Sequence, residues 1–381
     1  MATDEKELSL VLDDEQKMLQ QTASEFFAEH SPVDRVRKLR DTKDAVGYSK
    51  ALWKQMAELG FVGMNIPEAD GGTGLGFFEL ALVLEEAGRR LSPEPFVSTV
   101  LLGAQAVLTA GSDAQRQAWL PGIASGELVL TVGYVEPASR FDVSKIETRA
   151  ERTAGGHRLV GRKVQVLDAQ VADGIVVSAR TKEGVSLFLV DPNAPGVKVV
   201  PQQRLDGRNV AIVELEGVEV PDGAVLGKEG DGDRILSHVL DVAAIGLAAE
   251  MLGAAEQAFE DTVAYLKVRK QFGVPIGSFQ ALQHRAARLF TEIALLRSSV
   301  LAAARAVDAR PSEVAKLASL AKARANDTLI HVTNEAVQMH GGVGVTDECN
   351  VGFYVKRARA CEATFGDSAW HRARWAMLNG Y

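Results

Sequence analysis

The chain has little cysteine and no excess of basic residues, and both features narrow its possible functions. Its 381 residues include two cysteines, Cys349 and Cys361, with no CxxC spacing. Two cysteines are too few for a disulfide framework, which favours a reducing compartment. The formal net charge is −8, and lysine and arginine are scattered along the chain. This distribution argues against nucleic acid as the main partner.

Long apolar runs are also missing. No uninterrupted apolar stretch approaches the roughly 18 residues that a membrane span requires, so we expect no membrane span. The first seven residues are acidic and lack the apolar core of a signal peptide. We therefore expect a cytoplasmic protein, and we predict no metal site.

The order of sequence patterns predicts an α+β multidomain fold. Helical periods and lengths dominate up to about residue 128, and short Val/Ile-rich segments separated by Gly, Pro, Asp and Asn follow to about residue 231. Beyond residue 232, long Ala-rich segments indicate four long helices with short connections. We predict an N-terminal helical domain (1–128), a middle antiparallel β-barrel or sandwich domain (129–231) and a C-terminal four-helix bundle domain (232–381).

Two motifs carry groups that suit a large anionic dinucleotide. The first, Arg269–Gln280, reads RKQFGVPIGSFQ, and the second, Gln338–Gly344, reads QMHGGVG. Arg269 could pair with a pyrophosphate and Phe272 could stack on a ring, while the glycines open the backbone to phosphate. Taken alone, the first motif also fits a helix C-terminus with a glycine cap.

In combination, these motifs resemble the acyl-CoA dehydrogenase family, and the resemblance runs from about residue 10 to the C-terminus. It implies FAD bound across a subunit interface. By resemblance, Arg269, Phe272 and Gln280 reach the adenosine and pyrophosphate end of a neighbour's FAD. The second motif lines the cofactor from the other chain, with Gln338, Gly341 and Gly342.

The family reaction removes two hydrogens from Cα–Cβ of an acyl-CoA thioester. A carboxylate takes the α proton while hydride leaves Cβ for flavin N5, and hydrogen bonds to the thioester carbonyl stabilise the enolate-like transition state. By resemblance, the further partners are an acceptor of the electron-transfer flavoprotein type and a homo- or hetero-oligomer built as a dimer of dimers. Fatty acid or sterol degradation is the expected setting, but the sequence does not identify the acyl group.

This sequence departs from the family at both usual positions of the base. Counting from Gly341 puts Phe365 where a Glu precedes a Gly-Thr pair, and counting back from Arg269 puts Ala243 at the second position. The flavin-facing segments are changed as well. The Thr and Ser of one segment appear as Val135 and Phe141, and the family's Trp-Ile-Thr appears as residues 165–167, Gln-Val-Leu.

Two other carboxylates could compensate. Glu250 is an isolated acid seven residues after Ala243, on nearly the same helix face and roughly 10 Å further along. A buried carboxylate there would have the raised pKa that suits a base, although a solvated or salt-bridged residue is the alternative. Asp367 lies two residues after Phe365, where the alternative is an N-cap of the last helix.

Three functional hypotheses follow. The first is a flavoprotein that desaturates an acyl-CoA with Asp367 or Glu250 as its base. The second is a non-catalytic subunit that completes the FAD site of a Glu-bearing partner in a heteromeric acyl-CoA dehydrogenase. The third is a different flavin reaction on the same fold.

Overall fold

A computed structural model describes residues 10–381, and these form two compact units. One unit contains residues up to 38, together with 77–92 and 244–381; the other contains residues 39–76 and 93–243. The helices before the sheet are α1 Asp14–His30, α2 Asp34–Thr42, α3 Lys50–Glu58, α4 Phe77–Arg89, a π-helix Phe96–Ala104, α5 Gln105–Ala110 and α6 Asp113–Ala124. Those after it are α7 Gly232–Val268, α8 Gln280–Ala309, α9 Val314–His340, α10 Val351–Glu362 and α11 Ser368–Leu378.

Local capping chemistry sets several helix starts. Asp13 caps α1 through a capping box, in which its carboxylate accepts from the backbone N–H of Gln16 at 2.9 Å. Two acids, Asp13 and Asp14, stand in sequence at this helix start, and Asp13 is the cap. Ser112 and Gln115 form the same arrangement at the start of α6. These short-range bonds satisfy backbone donors that the first helical turn leaves free.

The predicted β region forms one mixed, mostly antiparallel sheet in the order β6-β7-β3-β2-β4-β5-β8. The predicted antiparallel β domain is thus confirmed, and it contains two parallel pairings as well: β1 pairs with β4 in parallel, and β2 meets β4 in parallel at one position. The strands are β1 Leu130–Gly133, β2 Arg149–Thr153, β3 Gly156–Leu167, β4 Gly174–Arg180, β5 Val185–Val190, β6 Val197–Gln202, β7 Val210–Pro221 and β8 Val225–Leu226.

One face of this sheet carries a hydrophobic core. Leu159, Ile175 and Phe188 are fully buried members of the cluster, and they come from three different strands. The hairpin β2–β3 was not predicted as strands, because its charged residues obscure the alternation of period two. In β2 and β3 the exposed charges Arg149, Glu151 and Arg158 stand next to the buried core residues Ala150 and Leu159.

The C-terminal region contains three long helices, α7 to α9, and two shorter ones, so the predicted set of four long helices is not what forms. The sequence prediction missed α10, and α11 spans only 11 residues. By length and composition α7 could cross a membrane, yet 83% of its most apolar 18-residue window is buried within the protein. Burial of this kind is also typical of a core helix.

Helices α4 and α7 approach closely at glycine. A Cβ atom on Gly88 would lie 1.9 Å from the carbonyl oxygen of Glu250, and one on Gly253 would lie 1.8 Å from that of Glu85. Arg297 on α8 pairs with Glu85 at 2.7 Å and also with Glu256 on α7 at 2.5 Å. Burial raises the pKa of the Glu85 carboxyl to about 7. Small residues and one half-buried cation therefore hold three helices together.

Candidate cofactor site and the positions of the catalytic base

The first motif folds into a tight hairpin directly after α7. Strands β9 (Lys270–Gln271) and β10 (Val274–Pro275) pair around a two-residue turn, in which Phe272 and Gly273 have φ of +53° and +81°. Two consecutive positive φ angles are typical of a type I′ turn. The side chain of Phe272 is 92% exposed and meets only the edge of Phe279. A strained, exposed aromatic fits a role in contact with a ligand or partner.

Arg269 and Gln280 flank this hairpin. Both are exposed, and within residues 10–381 neither side chain has a hydrogen-bond or ion-pair partner. The backbone of Arg269 is fixed, because its carbonyl accepts from the N–H of Ile276 at 2.8 Å. The hairpin thus offers an unpaired guanidinium and amide beside an open aromatic ring, as a pyrophosphate and an adenine require.

The second motif lies at the C-terminal end of α9, next to the start of the first motif. The ring of His340 stacks on that of Tyr265, with centroids 4.4 Å apart, and Tyr265 lies one turn before Arg269. Gly341 has φ +64° and ψ −140°, a conformation that is essentially restricted to glycine. A Cβ on Gly341 or Gly342 would meet no atom within 4 Å, and Gln338 is exposed. The structure therefore places the two motifs next to each other, where α7 and α9 end, and it leaves the backbone of Gly341 and Gly342 accessible.

The two usual base positions hold apolar groups. Phe365 is buried, with φ of +64°, and Ala243 is fully buried inside α7. Neither side chain has an atom that can accept a proton. The positive φ at Phe365 is costly for a residue with a Cβ, so the surrounding structure must hold it.

A buried lysine holds the loop that carries Phe365. The Nζ of Lys322 donates to Asn326 Oδ1 at 2.6 Å, to Cys361 O at 3.0 Å and to Gly366 O at 3.2 Å. Asn326 Nδ2 donates to the same Gly366 carbonyl at 3.1 Å. These residues were not predicted from the sequence, because the same helix also carries Lys316 and Arg324 and no spacing marks Lys322 as the buried cation. Together, the hydrogen bonds of Lys322 and Asn326 fix the conformation of the turn after Phe365.

Glu250 is buried, but it has a partner. Arg357 on α10 forms a bidentate pair with its carboxylate, with Nε–Oε1 and Nη2–Oε2 distances of 3.0 Å each. This ion pair corresponds to the structural alternative given for Glu250. The two residues are 107 positions apart, so no local pattern could have revealed it.

Asp367 caps the last helix. Its Oδ1 accepts from the backbone N–H of Trp370 at 2.8 Å, at the start of α11. This contact is the structural alternative given for Asp367. A catalytic role for Glu250 or Asp367 stays a prediction, and both carboxylates have a structural role that accounts for them.

The flavin-facing segments lie in the other compact unit and offer few side-chain donors. Val135 accepts a backbone bond from Val164 at 2.8 Å, and Phe141 packs under the guanidinium of Arg140, 5.1 Å from its ring centroid. Leu167 replaces a hydroxyl residue of the family. By resemblance, Arg269 and the glycines of the second motif would suit the adenosine end of FAD, whereas Val135, Phe141 and Leu167 have no polar side chain to offer the ring end. Among residues 10–381, no group of three His, Cys, Asp or Glu side chains could hold a metal ion.

Comparisons with known proteins agree with this geometry. Three family models match: the acyl-CoA dehydrogenase N-terminal domain over residues 13–127, the middle domain over 131–218 and the C-terminal domain over 230–377. A probable acyl-CoA dehydrogenase of Bacillus subtilis (strain 168) is 34% identical over 332 residues, covering 84% of this chain and 87% of the relative.

Solved structures show the same fold. A chain of the electron transferring flavoprotein structure of Acidaminococcus fermentans aligns with a TM-score of 0.92 at 31% identity, covering 98% of this chain and 99% of that one. A chain of the ChsE4-ChsE5 complex from Mycobacterium tuberculosis aligns with a TM-score of 0.89 at 28% identity, covering 98% and 99%. The protein thus belongs to the acyl-CoA dehydrogenase family of oxidoreductases, and its cofactor is FAD.

Proposed function

We propose that this chain is a subunit of a heteromeric acyl-CoA dehydrogenase, in which it contributes FAD-binding residues while a partner chain supplies the catalytic base. The reaction is the α,β-desaturation of an acyl-CoA thioester. Bound FAD supplies the acceptor for the hydride that leaves Cβ. This chain's Arg269, Phe272 and Gly341 would bind the adenosine and pyrophosphate end.

The observation that carries this proposal is the absence of a free carboxylate from the four positions considered for the base. Phe365 and Ala243 are apolar and buried, Glu250 is paired with Arg357, and Asp367 caps α11. A base must present a free lone pair to the α proton within hydrogen-bond reach. The loop at Phe365 is fixed by Lys322, which argues against a rearrangement that would bring another acid there.

Exposed apolar groups on the unit that carries the hairpin support assembly with a partner. Phe272 is joined there by Phe290, Leu295, Val343 and Val345, each of them between 47% and 92% exposed. Large exposed apolar side chains in such number mark interaction surfaces. One of the similar structures is named as a complex of two chains, ChsE4 and ChsE5, and this is compatible with a heteromer.

The test is to purify the chain alone and after co-expression with a paralogue that carries Glu-Gly-Thr at the base position. We expect the chain alone to show little flavin absorbance and no desaturation with an artificial electron acceptor, and the mixture to show both. In the mixture, Glu-to-Gln at the partner's base should abolish turnover. Asp367→Asn in this chain should leave it unchanged.

Self-sufficient catalysis is the competing function, and Asp367 is the side chain that favours it, because this carboxylate lies only two residues after Phe365, at the start of α11. In that case the isolated chain would be yellow and active. Asp367→Asn would then abolish turnover while Asp327→Asn, a change at another surface carboxylate of the same unit, would not. This outcome would refute the heteromer proposal.

A further inference from the structure

A cleft on the β-sheet collects three arginines that the proposed desaturation chemistry does not use. The cleft lies entirely within the compact unit of residues 39–76 and 93–243 and has a volume of about 670 Å³. Its lining includes Glu136, Thr148, Arg149, Val160, Arg162 and Arg180. This volume lies in the range of small-molecule sites, well above the space that a single ion needs.

The strand register places two of these cations side by side. Arg149 on β2 pairs with Arg180 on β4, and its neighbour on the other side is Val160 on β3. Directly paired residues point to the same face of a sheet, and like charges in such pairs destabilise each other. An anion between the two guanidinium groups would remove this repulsion.

The three arginines differ in the contacts that their side chains already make within the protein. Arg180 donates from Nε to the carbonyl of Ile146 at 3.1 Å and from Nη2 to that of Ser144 at 2.5 Å, so its position is fixed. Arg162 reaches Glu214 only at 3.8 Å. Arg149 is exposed and has no hydrogen-bond or ion-pair partner within residues 10–381. Arg149 is therefore the cation that remains available for a ligand.

The acid at the floor of the cleft does not cancel this charge. Glu136 pairs with the buried Lys163 Nζ at 2.5 Å and also accepts from Thr148 Oγ1 at 2.6 Å and from the backbone N–H of Glu147 at 2.6 Å. Burial would raise the pKa of Glu136, but the bond and charge of Lys163 hold it below its ordinary value. The floor is thus a closed, neutral pair, and the rim above it carries three arginines and one exposed carboxylate, Glu147.

We propose that this cleft binds a phosphomonoester, with Arg149 as the principal donor and Arg180 and Arg162 beside it. A dianionic phosphate suits several guanidinium groups, because each can donate two parallel hydrogen bonds to its oxygens. Two sources share this chemistry. One is the 3′-phosphate of coenzyme A, which rests on the proposed function, and the other is inorganic phosphate.

The test measures the binding of coenzyme A, 3′-dephospho-coenzyme A and inorganic phosphate to the full-length protein by calorimetry. Arg149→Gln is the test variant. Arg152→Gln is the matched control, because Arg152 lies on the same strand, pairs with Asp222 and does not line the cleft. We expect Arg149→Gln to weaken coenzyme A about tenfold or more, as for a lost charged hydrogen bond. It should leave 3′-dephospho-coenzyme A unchanged, as should the control.

The outcomes separate the sources. If both coenzyme forms bind alike in all variants while phosphate binding is lost in Arg149→Gln alone, the source is free phosphate. If Arg149→Gln and Arg180→Gln, with unchanged circular dichroism, bind all three probes as the wild type does, the proposal is overturned. Failure of the proposed function would appear instead as flavin and turnover in the isolated chain, or as their absence from the mixture with the partner, and the comparison of the two coenzyme forms does not depend on either.

Discussion

Replacement of Lys322 by methionine tests how a buried amine stabilises the loop that carries Phe365. Lys322 is fully buried on α9, and the three acceptors of its Nζ are all uncharged oxygens. Burial lowers the pKa of this amine to about 7, well below the value of about 10.4 expected for an unfolded chain. Between these two values the unfolded chain binds more protons than the folded one.

The sign of the pH dependence follows from this difference. Stability rises with pH wherever the unfolded state holds more protons, so the contribution of Lys322 increases from pH 7 upward. The limiting slope is about 1.4 kcal/mol per pH unit for a single group. The variant Lys322→Met has no titratable group at this position. The difference in unfolding free energy between wild type and variant should therefore grow by roughly 1.4 kcal/mol per pH unit between pH 7 and 9.

The absolute cost at pH 9 can be worked from the acceptors. In the variant, Gly366 O keeps its bond from Asn326 Nδ2, and Cys361 O keeps one from the N–H of Thr364. Only Asn326 Oδ1 loses the one donor described for it. One orphaned buried acceptor costs about 1–3 kcal/mol, and methionine fills most of the volume of the lysine stem. Since the difference grows by about 2.8 kcal/mol over the two pH units, we expect a destabilisation near the upper end of that range at pH 9 and almost none at pH 7.

The measurement is equilibrium urea unfolding followed by circular dichroism at pH 7, 8 and 9. Lys316→Met is the control, because Lys316 lies on the same helix, is partly exposed and approaches Glu313 only at 3.9 Å. Its difference from wild type should stay within about 0.5 kcal/mol at every pH. If the curves for wild type and Lys322→Met run parallel from pH 7 to 9, Lys322 keeps its proton and the reasoning is wrong.

Three further changes test other parts of the structure. Glu250→Gln leaves the buried guanidinium of Arg357 without a counter-charge, so urea unfolding should show a loss of about 3–5 kcal/mol; a loss below 1 kcal/mol would contradict a closed ion pair. Gly88→Ala places a Cβ 1.9 Å from a carbonyl oxygen and should lower the melting temperature by several degrees, whereas Gly352→Ala, with open space around its Cβ in α10, should not. Phe272→Ala should leave stability unchanged, since the ring is 92% exposed, but lower the FAD content of the assembled protein; equal flavin absorbance would exclude Phe272 from the site.

Prediction from the sequence succeeded where the signal is local. The helices before residue 128 form as predicted, because features such as the cap at Asp13 and the helical period of α4 depend on neighbours within a few residues. The parallel pairing of β1 with β4 was missed, because the two strands are more than forty residues apart and the residues of a strand do not indicate the direction in which it pairs. The strand β2 was missed because its charges mask the alternation.

The candidate site divides in the same way. The sequence by itself determined the family, the two motifs expected to bind FAD and the absence of an acid at positions 243 and 365, because each is a matter of residue identity and spacing along the chain. Only the tertiary structure decided what the remaining carboxylates do. Glu250 meets Arg357 and Lys322 meets Gly366 across 107 and 44 residues, and such partners are chosen by the packing of helices, which the spacing of residues in the chain does not reveal.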